Sequence, residues 1–289
     1  MRVFFILVGF IGVFLTSCQN SSPTHADVLV SIPPYIYFVN ELTEGELTTI
    51  SLVPPESNPH LYEPSPKQVA LAKTAKVWVR INEGFEQKIA KSFQEQNPNL
   101  VMTNLAKELK LPHLPHEGTC KHDHGDLESV DLHFWLSLRL AKNQAELIAK
   151  ALLQAFPERN KQIERTLPLL VKKLEEADSF ITKELAPYSE ETILVSHPAF
   201  GYFCYDYNLK QLSIECEGKD PLPKQISFIL HSIHSTKIRT ILTQTQYNNK
   251  GAKLIAEALH RKTHEVDPYS ANYLKNLLHI AHIIAEPSS

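Results

Sequence analysis

Residues 157–187 read PERNKQIERTLPLLVKKLEEADSFITKELAP, and how this stretch folds decides how the rest of the chain divides. Ile163, Leu167, Leu170, Leu174, Phe180 and Ile181 recur at roughly helical spacing, as the apolar stripe of an amphipathic helix requires. A helix over the whole stretch is about 40 Å long at about 1.5 Å per residue. Pro168 falls inside it. Proline lacks the amide hydrogen and crowds the preceding turn, so the expectation is one kinked helix or two shorter helices meeting there. Either way the segment is a strut between the N-terminal and C-terminal parts of the chain.

Outward from the strut, short β-rich runs alternate with helical patterns. Strands are expected at 28–32, 47–53, 76–81 and 100–103 on one side, and at 192–196, 211–215, 238–243 and 263–266 on the other. Helices are expected at 34–43, 66–75, 85–95, 134–155, 222–235, 248–260 and 270–285. Such alternation predicts parallel sheets covered by helices. The fold class is therefore α/β, with two lobes, each a four-stranded parallel sheet covered by helices, joined by a long linking helix. The first lobe takes residues 27–156, the linking helix 157–187 and the second lobe 188–289.

The 289 residues are 43% hydrophobic and 21% charged, which suits a globular protein with a substantial core. A net charge of −3 leaves no broad basic footprint, so nucleic acid is not expected as a partner. Arg2 followed by an unbroken apolar run at 3–15, too short to span a bilayer comfortably, reads as a signal peptide over 1–17. Leu15-Thr16-Ser17-Cys18 resembles the bacterial lipobox, in which the cysteine is acylated; an ordinary signal peptide with a chance cysteine is the alternative. With the polar QNSSPTHA at 19–26, residues 18–26 become the tether of an exported, lipid-anchored monomer. If Cys18 is lipidated, Cys120, Cys204 and Cys216 remain, enough for one bridge and one leftover thiol. A Cys204–Cys216 bridge would staple one connection of the second lobe, and a small buried thiol accounts equally well for either residue.

The 14 histidines carry the chemistry. His60 lies in a turn stiffened by Pro59, Pro64 and Pro66, after the second expected strand. His133 opens an amphipathic helix, where the helix N-terminus disfavours the imidazolium and so favours the neutral form a metal needs. His197 closes the first strand of the second lobe, and Asp267 closes its last. In parallel α/β sheets, ligands collect at the carboxyl ends of strands. One such histidine is more often structural, and an Asp before a Pro is usually a turn or cap. Four at equivalent places make a candidate site. Residues 110–130, KLPHLPHEGTCKHDHGDLESV, have no apolar period and read as a surface loop of the first lobe. The pairs His231/His234 and His279/His282 stand at helical spacing and read as solvated helix faces. No nucleophile elbow, P-loop or zincin motif occurs.

Four stretches, NPHLYEPSP (58–66), DLHFWLS (131–137), SHPAFGYF (196–203) and VDP (266–268), occur together in this order. In them the chain resembles the zinc- and manganese-binding solute-binding proteins of bacterial ABC importers, with Leu132 standing where that family commonly has proline. The resemblance covers essentially the whole mature chain. It implies two α/β lobes with metal in the cleft between them, held by His60 and His133 from the first lobe and His197 and Asp267 from the second. Three imidazoles and a carboxylate suit tetrahedral Zn2+ and do not exclude Mn2+ or Fe2+. His113, His116, His122 and His124, among acidic neighbours, resemble a shortened form of the His-rich loop of the zinc-specific branch; a solvated loop is the plain alternative. The implied function is an extracytoplasmic receptor, not an enzyme, that hands a divalent metal to a membrane ABC permease. The competing readings are a zinc-dependent hydrolase and a surface adhesin.

Overall fold

The computed structural model describes residues 25–114, 130–215, 223–233 and 236–286. In the first lobe these form β1 (Val28–Val30), α1 (Pro34–Thr43), β2 (Thr49–Ser51), α2 (Pro66–Ala70), β3 (Val77–Arg80), α3 (Gly84–Gln96), β4 (Val101–Asn104), α4 (Leu105–Glu108) and α5 (Leu138–Ala155). The linking helix is α6 (Asn160–Leu185). The second lobe comprises β5 (Thr192–Val195), α7 (Gly201–Asp206), β6 (Lys210–Ser213), α8 (Pro223–Ile233), β7 (Ile238–Gln244), α9 (Lys250–Ala258), β8 (His264–Val266) and α10 (Tyr273–Ala285). Each sheet has four strands, in the orders β2-β1-β3-β4 and β6-β5-β7-β8, and every pairing is parallel. The two sheets thus repeat one topology, and in each the chain steps to one side of its first strand and then crosses to the other. That switch opens a crevice at the strands' carboxyl ends.

The linking helix runs unbroken through Pro168. Its buried face is Ile163, Thr166, Leu170, Leu174, Ala177, Ile181 and Leu185, a three-four spacing that differs from the stripe expected from sequence. Phe180, 55% exposed, points away from the core, and Thr166 takes a core position because its hydroxyl has a partner. That hydroxyl donates to the Leu42 carbonyl of α1 at 2.7 Å, with the Gln162 backbone carbonyl of its own helix 3.0 Å away. The expected helix at 134–155 is divided. Residues Phe134–Leu136 make a 3-10 turn, and Ser137 restarts the chain as the N-cap of α5, its hydroxyl accepting from the Leu140 amide at 3.0 Å.

One buried apolar cluster runs through both lobes, taking in Val28–Val30 of β1, Trp135, the inner face of α6, and Ile193 and Val195 of β5. Leu194, between those last two, faces the other way into a smaller cluster with Ile229, Ile241 and Ile255. Polar bonds also join the lobes. The Trp135 ring N–H donates to the Pro268 carbonyl at 2.9 Å, and the Tyr273 hydroxyl to the Trp135 carbonyl at 2.6 Å. Ser137 donates to the Asp206 carboxylate at 2.6 Å. Among the described residues no helix is long and apolar enough to cross a membrane.

Candidate metal centre

His60, His133 and His197 reach one point from three separate loops. His60 sits in a 3-10 turn (Pro59–Leu61) after β2, and the Asn58 side chain caps that turn by accepting from the His60 amide at 3.0 Å. Downstream, Ser65 and Gln68 form a capping box, and the Gln68 amide donates to the Leu52 carbonyl at 2.6 Å, tying the proline-rich loop back to its strand. His133 comes two residues after Asp131, whose carboxylate accepts from the His133 amide at 2.8 Å and so folds the turn back on itself. His197 leaves β5 and is clamped by the buried Gln244 of β7, which accepts from its amide at 2.7 Å and donates to its carbonyl at 3.0 Å.

The three Nε2 atoms stand 3.3 Å from one another on all three sides. Nitrogens of a tetrahedral zinc centre with bonds of about 2.0–2.1 Å lie about 3.3–3.4 Å apart, so the spacing is that of a zinc–imidazole site. Every Nδ1 meets a carboxylate: His60 with Glu83 at 3.1 Å, His133 with Asp131 at 2.7 Å, His197 with Glu215 at 2.6 Å. A carboxylate only accepts, so in each neutral ring the proton sits on Nδ1 and an Nε2 lone pair turns to the centre. Three converging lone pairs repel one another unless a cation lies between them.

The environment is uneven. The His133 and His197 side chains are 7% and 6% exposed, against 29% for His60, so the triangle opens on the His60 side. Burial opposes protonation of His60, yet the hydrogen bond and charge of Glu83, with Asp131 and Glu215 beyond, outweigh it and hold the pKa above the ordinary histidine value. His197 goes the other way: burial first, then the nearness of His133 and His60, push its pKa well below that value. Tyr247 stacks on the His197 ring at 3.9 Å and 8°, and its hydroxyl meets that of Tyr269 at 3.0 Å. The Tyr269 hydroxyl lies 3.3 Å from the His133 Nε2, on the edge of the triangle. Burial keeps Tyr269 protonated by raising its pKa well above the usual range.

Asp267 does not join the three histidines. Its carboxylate accepts from the Gln246 side-chain amide at 2.7 Å and from the Tyr269 backbone amide at 2.9 Å. Among the described residues the group whose ligand atoms all lie within 4.8 Å of one another is His60, His133 and His197. The short connection after β8 turns Asp267 into that backbone contact and brings Tyr269 to the triangle instead. His113 is exposed at the end of its described segment, while His116, His122, His124 and Cys120 lie outside the described residues. So do Cys18, Cys216 and His234; Cys204 is buried in α7. His231, His279 and His282 are exposed on their helices, in keeping with solvated faces.

Glu83, Asp131, Glu215, Gln244 and Tyr269 are not singled out by sequence reasoning. All but Asp131 stand at or just past the carboxyl end of a strand, as His197 does, and that position is the signal that could have found them. Gly201, within the SHPAFGYF stretch, has a steric role. A Cβ there would meet the Asp131 Oδ2 at 2.9 Å and the Leu114 side chain at 2.8 Å, so a larger residue would have to shift the carboxylate that orients His133.

Residues 28–286 match the family described as ZnuA, zinc-uptake complex component A, periplasmic. A protein of Chlamydia muridarum (strain MoPn / Nigg), provisionally named as metal-binding, is 28% identical over 287 residues, covering 99% of this chain and all of that one. The zinc-binding lipoprotein AdcA of Streptococcus pneumoniae (strain ATCC BAA-255 / R6) is 26% identical over 277 residues, or 92% of this chain and 55% of AdcA. A crystal structure of ZnuA superposes with a TM-score of 0.83 at 31% identity, over 92% of this chain and 100% of that chain.

Proposed function

The chain belongs to the ZnuA family of periplasmic zinc-uptake components, and from that premise we propose that it captures Zn2+ on His60, His133 and His197 and passes it to the permease of an ABC importer. Its role is that of an extracytoplasmic metal-binding receptor of a zinc-uptake system, and zinc is its cargo. The observation that carries the ligand assignment is the 3.3 Å triangle of Nε2 atoms in the cleft between the two sheets. Three neutral imidazoles favour zinc over manganese, which prefers oxygen ligands. The open side at His60 is the entry and exit route, and the exposed Leu61 beside it stands at the rim that a permease would meet. Cys18 is the proposed lipid attachment, which would hold a monomer at the membrane surface through the tether. The experiment is metal analysis of protein purified without chelators, followed by competition titration among Zn2+, Mn2+ and Fe2+. One equivalent of tightly held zinc, lost in His197→Ala, is the expected result. A preference for manganese, or zinc held equally by His197→Ala, would overturn the assignment.

A further inference from the structure

Three neutral ligands leave the full charge of a divalent ion uncompensated, and the Asp267 carboxylate is engaged elsewhere. Negative charge is nonetheless present one imidazole away. Glu83 and Glu215 are 2% and 3% exposed, and the Asp131 side chain is 22% exposed. Ionised carboxylates are costly to bury unless paired. Among the described residues no lysine or arginine forms an ion pair with Glu83 or Asp131; each is matched to an imidazole. Glu83 also occupies the N-cap position of α3 and makes no capping bond with its side chain, which turns to His60 instead.

Resting on the ligand reading of the three histidines, we propose that Glu83, Asp131 and Glu215 are the counter-charges of the site. They are positioning residues that hold one imidazole each by its Nδ1 and together supply the negative charge that a metal-bound carboxylate would otherwise provide. Charge placed behind the ligands stabilises a doubly charged ion more than a singly charged one at the same point. The arrangement therefore selects by valence as well as by donor atom, favouring Zn2+ over Cu+, which three imidazoles alone would also accommodate. Two of the carboxylates come from the first lobe and one from the second, so the full field exists only where the lobes meet.

The test uses the full chain and three near-isosteric variants, Glu83→Gln, Asp131→Asn and Glu215→Gln. In each, the amide oxygen still accepts from Nδ1–H, so ring orientation is kept and only charge is removed. Affinities for Zn2+ and Cu+ are measured by competition, Co2+ spectra report tetrahedral geometry, and melting of the metal-free protein reports folding. Each variant is expected to lose about 10- to 100-fold in Zn2+ affinity, the range found for partners behind metal ligands. The Cu+ loss should be clearly smaller, with a tetrahedral Co2+ spectrum and no fall in metal-free Tm. Equal losses for both ions would mean the carboxylates act by orientation alone, and undiminished Zn2+ binding would mean they are structural; either overturns the proposal. If Glu215→Gln fails to fold, the two first-lobe variants carry the same comparison. Wild-type protein binding zinc no better than His197→Ala would remove the ligand reading, and this one with it.

Discussion

His60 and His197 face the same point from surroundings that push their protonation in opposite directions. The consequence for metal binding is a curved pH dependence. With its pKa raised, His60 is still partly protonated above the ordinary value of about 6.5, so a proton already competes with the metal near neutrality. His197, held neutral, adds its proton only well below that value. Zinc affinity should begin to fall while the pH is still above about 6.5, as His60 takes up its proton, and more steeply further down. Competition titrations from pH 8 to 5 check this, and a flat profile would exclude the histidines as ligands. For the metal-free fold the signs are opposed. The contribution of His60 is present below about pH 6.5 and fades as pH rises through its folded pKa, whereas that of His197 fades as pH falls from about 6.5 toward its lowered one. Asp267 makes a second prediction. Asp267→Asn keeps an oxygen for the Tyr269 amide and should leave zinc affinity within about threefold, far less than the loss of a true ligand. A drop of ten-fold or more in the same titration would return Asp267 to the ligand set.

The face that α6 buries is testable by two substitutions on that helix. Leu174→Ala opens a cavity in the cluster shared by both lobes and should cost about 2–5 kcal/mol in denaturant unfolding. Phe180→Ala, on the exposed face, should change stability by no more than about 0.5 kcal/mol despite the larger side chain removed. The reverse ranking would mean that the helix buries a different face. The α5–α7 contact gives a pH signature. Asp206 is buried beside Ser137, and desolvation raises its pKa despite the hydroxyl, the Arg139 charge and its backbone amide. A raised carboxyl pKa marks stability that is present at low pH and lost as pH rises through the folded value. Asp206→Asn should therefore raise Tm at pH 7, with the gain shrinking as pH falls toward 4. A Tm lowered at pH 7 would show that the charge is needed.

For the whole molecule, a site built from both lobes ties metal binding to global stability. Zinc at about a thousand times its dissociation constant should add about 4 kcal/mol, because it binds only the folded cleft. Deleting residues 113–124 should leave that increment intact, since no proposed ligand lies there; calorimetry with and without zinc checks both statements. The division into two α/β lobes and a long helix was legible from sequence because it rests on local periodicities: short β-rich runs, helical stripes, and prolines where one pattern stops. His60, His133 and His197 were legible because they close strands or open helices within stiff, recognisable turns. Other features are matters of distance across the chain. Phe180 fits the helical stripe yet lies on the exposed side of α6, while Thr166 is buried with its hydroxyl bonded to the Leu42 carbonyl on α1. Asp267 holds a ligand-like place at the end of β8, yet its Oδ1 accepts from the Tyr269 amide in the tight turn and from Gln246. The sequence by itself determined which residues could bind a metal, since donor chemistry and strand ends are local properties. The tertiary structure decided that Glu83 and Glu215 stand behind His60 and His197, because those pairings span 23 and 18 residues and arise only where strands of one sheet bring their carboxyl ends side by side; Asp131, two residues before His133, is held there by a local turn.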